Sequence, residues 1–139
     1  MLFDTNVVLD VLLARQPHAP VAVQLFELVA RKDLAGVLGA TTVTTIYYLA
    51  AKAAGAKAAR RHVATLLGLF DVAAVTRAVL ADALTLGFRD YEDAVLHEGA
   101  RHAGATGIVT RDAAGFRRAR LRIYTPDELL RFMAATSAS

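Results

Sequence analysis

Short apolar runs alternate with helix-like sequence along the whole chain, and this alternation restricts the fold more than any other feature. The runs are LFDTN (2–6), GVLGA (36–40), DVAAV (71–75) and TGIVT (106–110), with RIY (122–124) as a fifth. Between them the periodicity is helical. VVLDVLLA (7–14) reads as a helix stopped at Gln16-Pro17, because the residue before proline avoids the α region. From Pro20, residues Val21, Leu25, Leu28 and Val29 share one helical face. Helices are expected over Thr42–Ala54, closed by Gly55, and over Ala56–Leu69. Thr76 should cap a helix to Leu86, stopped by Gly87, and Asp90 one running to Gly104. Thr125-Pro126-Asp127-Glu128 has the pattern of a capping box opening the last helix. Strands that alternate with helices and are apolar on both faces imply a parallel sheet covered on both sides. The expected fold is a three-layer α/β/α sandwich around four to five strands.

No linker, repeat or low-complexity block divides the 139 residues, so residues 1–139 are expected to form a single domain. Much of the 55% hydrophobic content is alanine, which favours helices. With no uninterrupted apolar run of about 18 residues, no transmembrane helix is expected. Asp4 and Asp10 interrupt the N-terminal region and no basic stretch precedes it, so no signal peptide is expected. The absence of cysteine excludes disulfides and thiolate metal sites, and fits a cytoplasmic protein. Net charge is +3 and the pI about 9.6. Arginine, which outnumbers lysine, offers a planar fork suited to phosphate, so nucleic acid is a natural partner. GC-rich coding bias is the competing source of that composition.

Two of the apolar runs stop at or near an aspartate, Asp4 and Asp112. Ligands of open α/β sheets gather beyond the carboxyl ends of the strands, so a parallel sheet brings both acids to one edge. Asp90 and Asp93 open a helix three residues apart and share a face, whereas Glu92 should project off it. Two carboxylates about 4 Å apart repel by roughly 4 kcal/mol at an effective dielectric near 20, so such a cluster protonates or binds a cation. An all-oxygen donor set suits Mg²⁺ or Mn²⁺. No HxxxH or CxxC spacing favours zinc.

MLFDTNVVLD, a Thr-rich helix, DYEDAVLHEGARHAGA and GIVTRDAAGF occur in the order and spacing of a PIN domain, and the chain resembles in particular the VapC-type toxin ribonucleases. The resemblance implies a parallel α/β/α fold, a Mg²⁺/Mn²⁺ site and endoribonuclease activity. It also implies an antitoxin partner and a homodimer. Carried over by position, Asp4, Asp93 and Asp112 match the family's metal-binding acids, and Asn6 and Thr110 its supporting polar residues. Tyr47 stands at the place of the usual second acid, as in a subgroup of PIN-like proteins that shares the Tyr-Tyr helix. Gly115 stands where many relatives carry a further aspartate. Asp90 is therefore the expected substitute carboxylate, with the plain role of helix cap as its rival.

Arg89 and Arg111 precede candidate ligands and are candidate RNA contacts. Arg117, Arg118, Arg120 and Arg122 form a run that is either a solvated face or an RNA surface. Asp10, Glu27, Asp33, Asp82, Glu98, Asp127 and Glu128 read as solvated faces or caps, and His97 as a surface or partly buried structural histidine. The expected activity is metal-dependent hydrolysis of RNA. The alternatives are a degenerate module that binds RNA or protein without cutting, and a phosphohydrolase of small molecules.

Overall fold

Leu2 and Phe3, adjacent in the first strand, face opposite sides of a sheet and seed two separate cores. In the computed structural model, which describes residues 1–137, that strand is β1 (Leu2–Phe3). It is followed by α1 (Thr5–Leu12), α2 (Ala19–Ala30), β2 (Val37–Gly39), α3 (Ala40–Ala54), α4 (Ala56–Leu69) and β3 (Asp71–Ala73). Then come α5 (Arg77–Ala83), α6 (Tyr91–His102), β4 (Gly107–Val109), a 3-10 turn (Ala113–Phe116), β5 (Arg122–Tyr124) and α7 (Pro126–Ser137). All strand pairings are parallel, in the order β3-β2-β1-β4-β5. The expected three-layer α/β/α architecture with a central parallel sheet is observed, with five strands.

The order reverses beside β1: successive strands step away through β2 and β3 on one side, and through β4 and β5 on the other. Crossovers leave such a switch point in opposite directions and open a crevice at the strand ends. On one face Phe3, Phe26 and Phe70 meet edge to face, with centroids 5.1–5.8 Å apart, in a core shared by α1, α2, α3, α4 and α7. The other face carries Leu2, Ile108, Leu96, Ala100 and Phe116 under α6, with α5 packed on α6 through Val79, Ala83, Ala94 and Val95. Gly39 lets α6 come close, since a Cβ there would lie 2.5 Å from Leu96.

The first strand is shorter than the run LFDTN suggests. The Asp4 side chain accepts from the Thr5 N–H (2.7 Å), so α1 begins at Thr5 and Asn6 lies in its first turn. Thr76 and the Thr125/Glu128 box cap as expected: Thr76 accepts from the Val79 N–H, while Thr125 and Glu128 exchange backbone-to-side-chain bonds. Two acids read as solvated are buried. Asp10 is 0% exposed and takes both arms of Arg111 (2.7 and 3.2 Å), joining α1 to the segment after β4. Glu98 is also buried and binds Arg101 and His97.

His97 is structural, as expected, but it is fully buried rather than at the surface or partly buried. Its Nε2 accepts the backbone N–H groups of Arg120 (3.0 Å) and Leu121 (3.2 Å), and Nδ1 meets Glu98 at 3.1 Å. Burial holds its pKa below the ordinary 6.5, so the folded ring is neutral. The contribution of His97 to stability is therefore complete above pH 6.5 and declines as pH falls below it. Replacing His97 by leucine orphans two backbone donors and should cost about 2–4 kcal/mol in urea unfolding at pH 7.5. A loss under about 0.5 kcal/mol would contradict this role, since surface changes usually fall within that range.

Candidate active site

The crevice at the switch point is lined by side chains from four segments. Asp4 follows β1 and accepts from Thr110 Oγ1 at 2.8 Å as well as from Thr5. The fully buried Thr110 follows β4 and ties the site together: its Oγ1 also accepts the Asp112 N–H (2.9 Å) and lies 3.4 Å from Asn6 Nδ2. Asn6 Oδ1 in turn accepts the Arg111 N–H at 3.2 Å. These bonds bridge the ends of β1 and β4, adjacent strands in the sheet, and so fix Asp4 relative to Asp112.

Asp90, Asp93 and Glu92 enter from the first turn of α6. Asp90 Oδ1 caps that helix, accepting from Glu92 N–H (2.8 Å) and Asp93 N–H (3.4 Å). Its capping role is thus real, and it also lines the crevice. Asp4, Asp90, Glu92, Asp93 and Asp112 all border one cleft of about 370 Å³, with Thr41, Thr42 and Thr45 of α3 across it. Glu92 does not project away as expected: it lines this cleft, and its charge raises the pKa of both Asp4 and Asp93. Tyr47 is not among the lining residues; it stacks edge-on against Tyr48 (5.3 Å), and α3 presents threonines instead.

Electrostatics agree with the geometry. Asp93 is pushed up to about 7, first by burial and then by Asp4, Asp90, Asp112 and Glu92. Burial also raises Asp4, against the hydrogen bonds from Thr110 and Thr5. Four like charges acting on one carboxylate make the cluster short of positive charge. Its donors are all hard oxygens, which fits a divalent cation such as Mg²⁺ or Mn²⁺. Gly115 leaves room for one: a Cβ there would sit 2.8 Å from Asp112 Oδ2 and 3.1 Å from Asp93 Oδ2.

The cleft carboxylates stand more openly than a compact trio elsewhere. Asp82, Glu98 and His102 have ligand atoms all within 4.8 Å of one another among the described residues. There Arg101 already binds Glu98 (2.9 Å) and Asp82 (3.1 Å), and His102 meets Asp82 at 2.8 Å, so the charge is balanced without a metal. Arg111 does not reach the acid clefts, because its guanidinium is held by Asp10. Arg15, which sequence reading missed, lines the cleft beside Asp4.

A raised acid pKa makes a testable pH signature. Asp93 ordinarily titrates near 3.8 and here near 7, so the folded state holds more protons across that window. Metal-free stability should therefore fall as pH rises from about 4 to 7, relative to an Asp93→Asn variant that lacks the group. Mn²⁺ should reverse the difference above pH 7. Thermal melts of both proteins in EDTA and in Mn²⁺ check this; parallel profiles would contradict it.

The family model for the PIN domain matches residues 1–114. No curated sequence relative matches. Among solved structures, a toxin–antitoxin complex from Klebsiella pneumoniae is similar over 90% of this chain and 96% of that one, at 19% identity and a TM-score of 0.68. VapBC2 of Rickettsia felis, bound to promoter DNA, is similar over 89% and 96%, at 14% identity and 0.69. VapC20 of Mycobacterium tuberculosis, described as a toxin cleaving the sarcin–ricin loop, is similar over 77% and 85%, at 18% identity and 0.60. These likenesses are of fold. Together with the family model, which spans both β1 and the β4 edge of the crevice, they place the expected resemblance on firm ground: the chain belongs to the PIN-domain family.

Proposed function

We propose that the protein is a divalent-metal-dependent endoribonuclease, the toxin of a toxin–antitoxin pair. The observation that carries the reading is the meeting of Asp4, Asp90, Asp93 and Asp112, from three distant segments, in one crevice at the switch point of the sheet. Asp4, Asp93 and Asp112 would hold Mg²⁺ or Mn²⁺, with Asp90 assisting through the carboxylate oxygen left over from capping. When bound, the cation supplies positive charge opposite the reacting phosphate and eases ionisation of the attacking water. The protein's own part is positional. Thr110 and Asn6 hold Asp4 and Asp112 in register, and Gly115 keeps the space between Asp93 and Asp112 free. The neighbouring structure described as a toxin–antitoxin complex supports an antitoxin partner. Exposed Tyr48, Leu49 and Leu67 on α3 and α4 offer apolar surface to that partner or to a second copy.

The threonine face of α3, which brings no carboxylate to the cleft, favours a second reading as a PIN module that binds RNA without cutting it. Purified protein incubated with structured RNA and Mn²⁺ separates the two. The nuclease reading expects cleavage that EDTA abolishes and that an Asp4→Asn variant lacks. Undegraded RNA, or equal cleavage by the variant, would overturn it.

A further inference from the structure

Behind Asp90, Asp93 and Asp112 lies a second cleft of about 460 Å³ that they share with Arg89, Arg117 and Arg118. Among the described residues these three arginines have no ion pair or side-chain hydrogen bond, whereas Arg31, Arg101 and Arg111 are engaged by acids. Their placement is built into the fold. Phe88 and Phe116 stack edge to face (5.8 Å, 85°), which brings the next residues in the chain, Arg89 and Arg117, to one rim. The buried His97 pins the following segment through the Arg120 and Leu121 N–H groups. Arg118 lies along Gly87, whose φ of +74° turns the chain there. Two unpaired guanidinium-bearing segments thus face an acid ridge across an open cleft.

We propose that this cleft seats the phosphate next to the scissile one in single-stranded RNA, with Arg89, Arg117 and Arg118 as its ligands. The assignment rests on the nuclease reading for which phosphate is scissile. A planar fork matches a phosphodiester's two free oxygens, and cations set back from the acids bind the backbone while leaving the crevice to the reacting group. Substrate held this way needs a charged phosphate on the arginine side of the cut.

Binding of a fluorescent oligoribonucleotide, measured in EDTA over a range of salt, tests this without any cleavage. Arg117→Ala/Arg118→Ala should flatten the plot of log affinity against log salt by about 1.4, and Arg89→Ala by about 0.7, at roughly 0.7 per lost contact on a single strand. Arg31→Ala/Arg131→Ala, which removes equal charge elsewhere, should leave the slope unchanged. One neutral methylphosphonate beside the cleavage position should weaken wild-type binding on the order of ten-fold and the Arg117→Ala/Arg118→Ala protein, which keeps only Arg89 at the seat, markedly less. Equal slope changes in the two double variants, or an unchanged slope on loss of Arg117 and Arg118, overturn the inference while leaving cleavage itself intact. A protein that binds as expected yet cleaves nothing in Mn²⁺ would sink the nuclease reading and spare the phosphate seat.

Discussion

Asp93→Asn should lower Mn²⁺-dependent RNA cleavage by about three orders of magnitude, the rate equivalent of roughly 4 kcal/mol of lost transition-state stabilisation. Asp93 lies where the charges of Asp4, Asp90, Asp112 and Glu92 converge, so it is the carboxylate whose ionisation most needs a counter-cation. Asparagine keeps its size and removes its charge. Asp90→Asn should be nearly as damaging, although asparagine caps a helix as well as aspartate does. That equivalence makes the variant informative: the α6 terminus, held by bonds to Glu92 and Asp93, survives while the extra carboxylate is lost. Kinetics and Mn²⁺ affinity are measured beside the melting temperature. An Asp90→Asn protein with wild-type rate and affinity would reduce Asp90 to its capping role, and Glu92 would become the remaining acid of that turn.

Asp10→Ala should destabilise the fold by about 2–3 kcal/mol, without touching any group proposed to hold metal. Breaking a fully buried ion pair typically costs about 3–5 kcal/mol because one charge is left stranded. Here the Asp10 side chain is 0% exposed but that of Arg111 is 30% exposed, so water screens part of the loss. Replacing both, as Asp10→Leu with Arg111→Met, should recover most of the stability, since an apolar pair of similar volume often matches a buried ion pair. The effect should also reach the site. Arg111 donates its backbone N–H to Asn6 and precedes Asp112, so loosening it lets Asp112 drift from Asp4. Mn²⁺ affinity should drop several-fold in Asp10→Ala, as second-layer changes at metal sites commonly do by about ten-fold or more. Urea unfolding together with Mn²⁺ titration reads both; a variant unchanged in each would show the pair to be incidental.

The alternation of apolar runs with helical periodicity was enough to read the sheet and its layers, because that pattern reports directly which faces are buried. The meeting of Asp4 and Asp112 was equally legible, since acids just beyond parallel strands can only end on one edge. What the sequence hid depends on rotation and neighbours. Helical spacing alone sets Glu92 off the face shared by Asp90 and Asp93, yet in the first turn of α6 it borders the same cleft. Asp10 looked like a surface acid. Its position inside VVLDVL, among Val7, Val8 and Leu9, which are all buried, was the available signal, but its partner lies 101 residues away. Arg111 hides its partner in the same way: it is adjacent to a proposed ligand in the chain, while its side chain turns back to Asp10 of α1. The place of Tyr47 was inferred by family position, whereas the cleft is faced by Thr41, Thr42 and Thr45.

Calorimetric titration of Mn²⁺ into the wild-type protein and into Asp4→Asn and Asp112→Asn proteins probes the shared grip directly, because those two acids come from opposite ends of the chain. Saturable binding in the wild type that disappears in both variants, with their folds intact, is the expected result. A wild-type protein that takes up no Mn²⁺, or variants whose isotherms overlay it, would contradict the account.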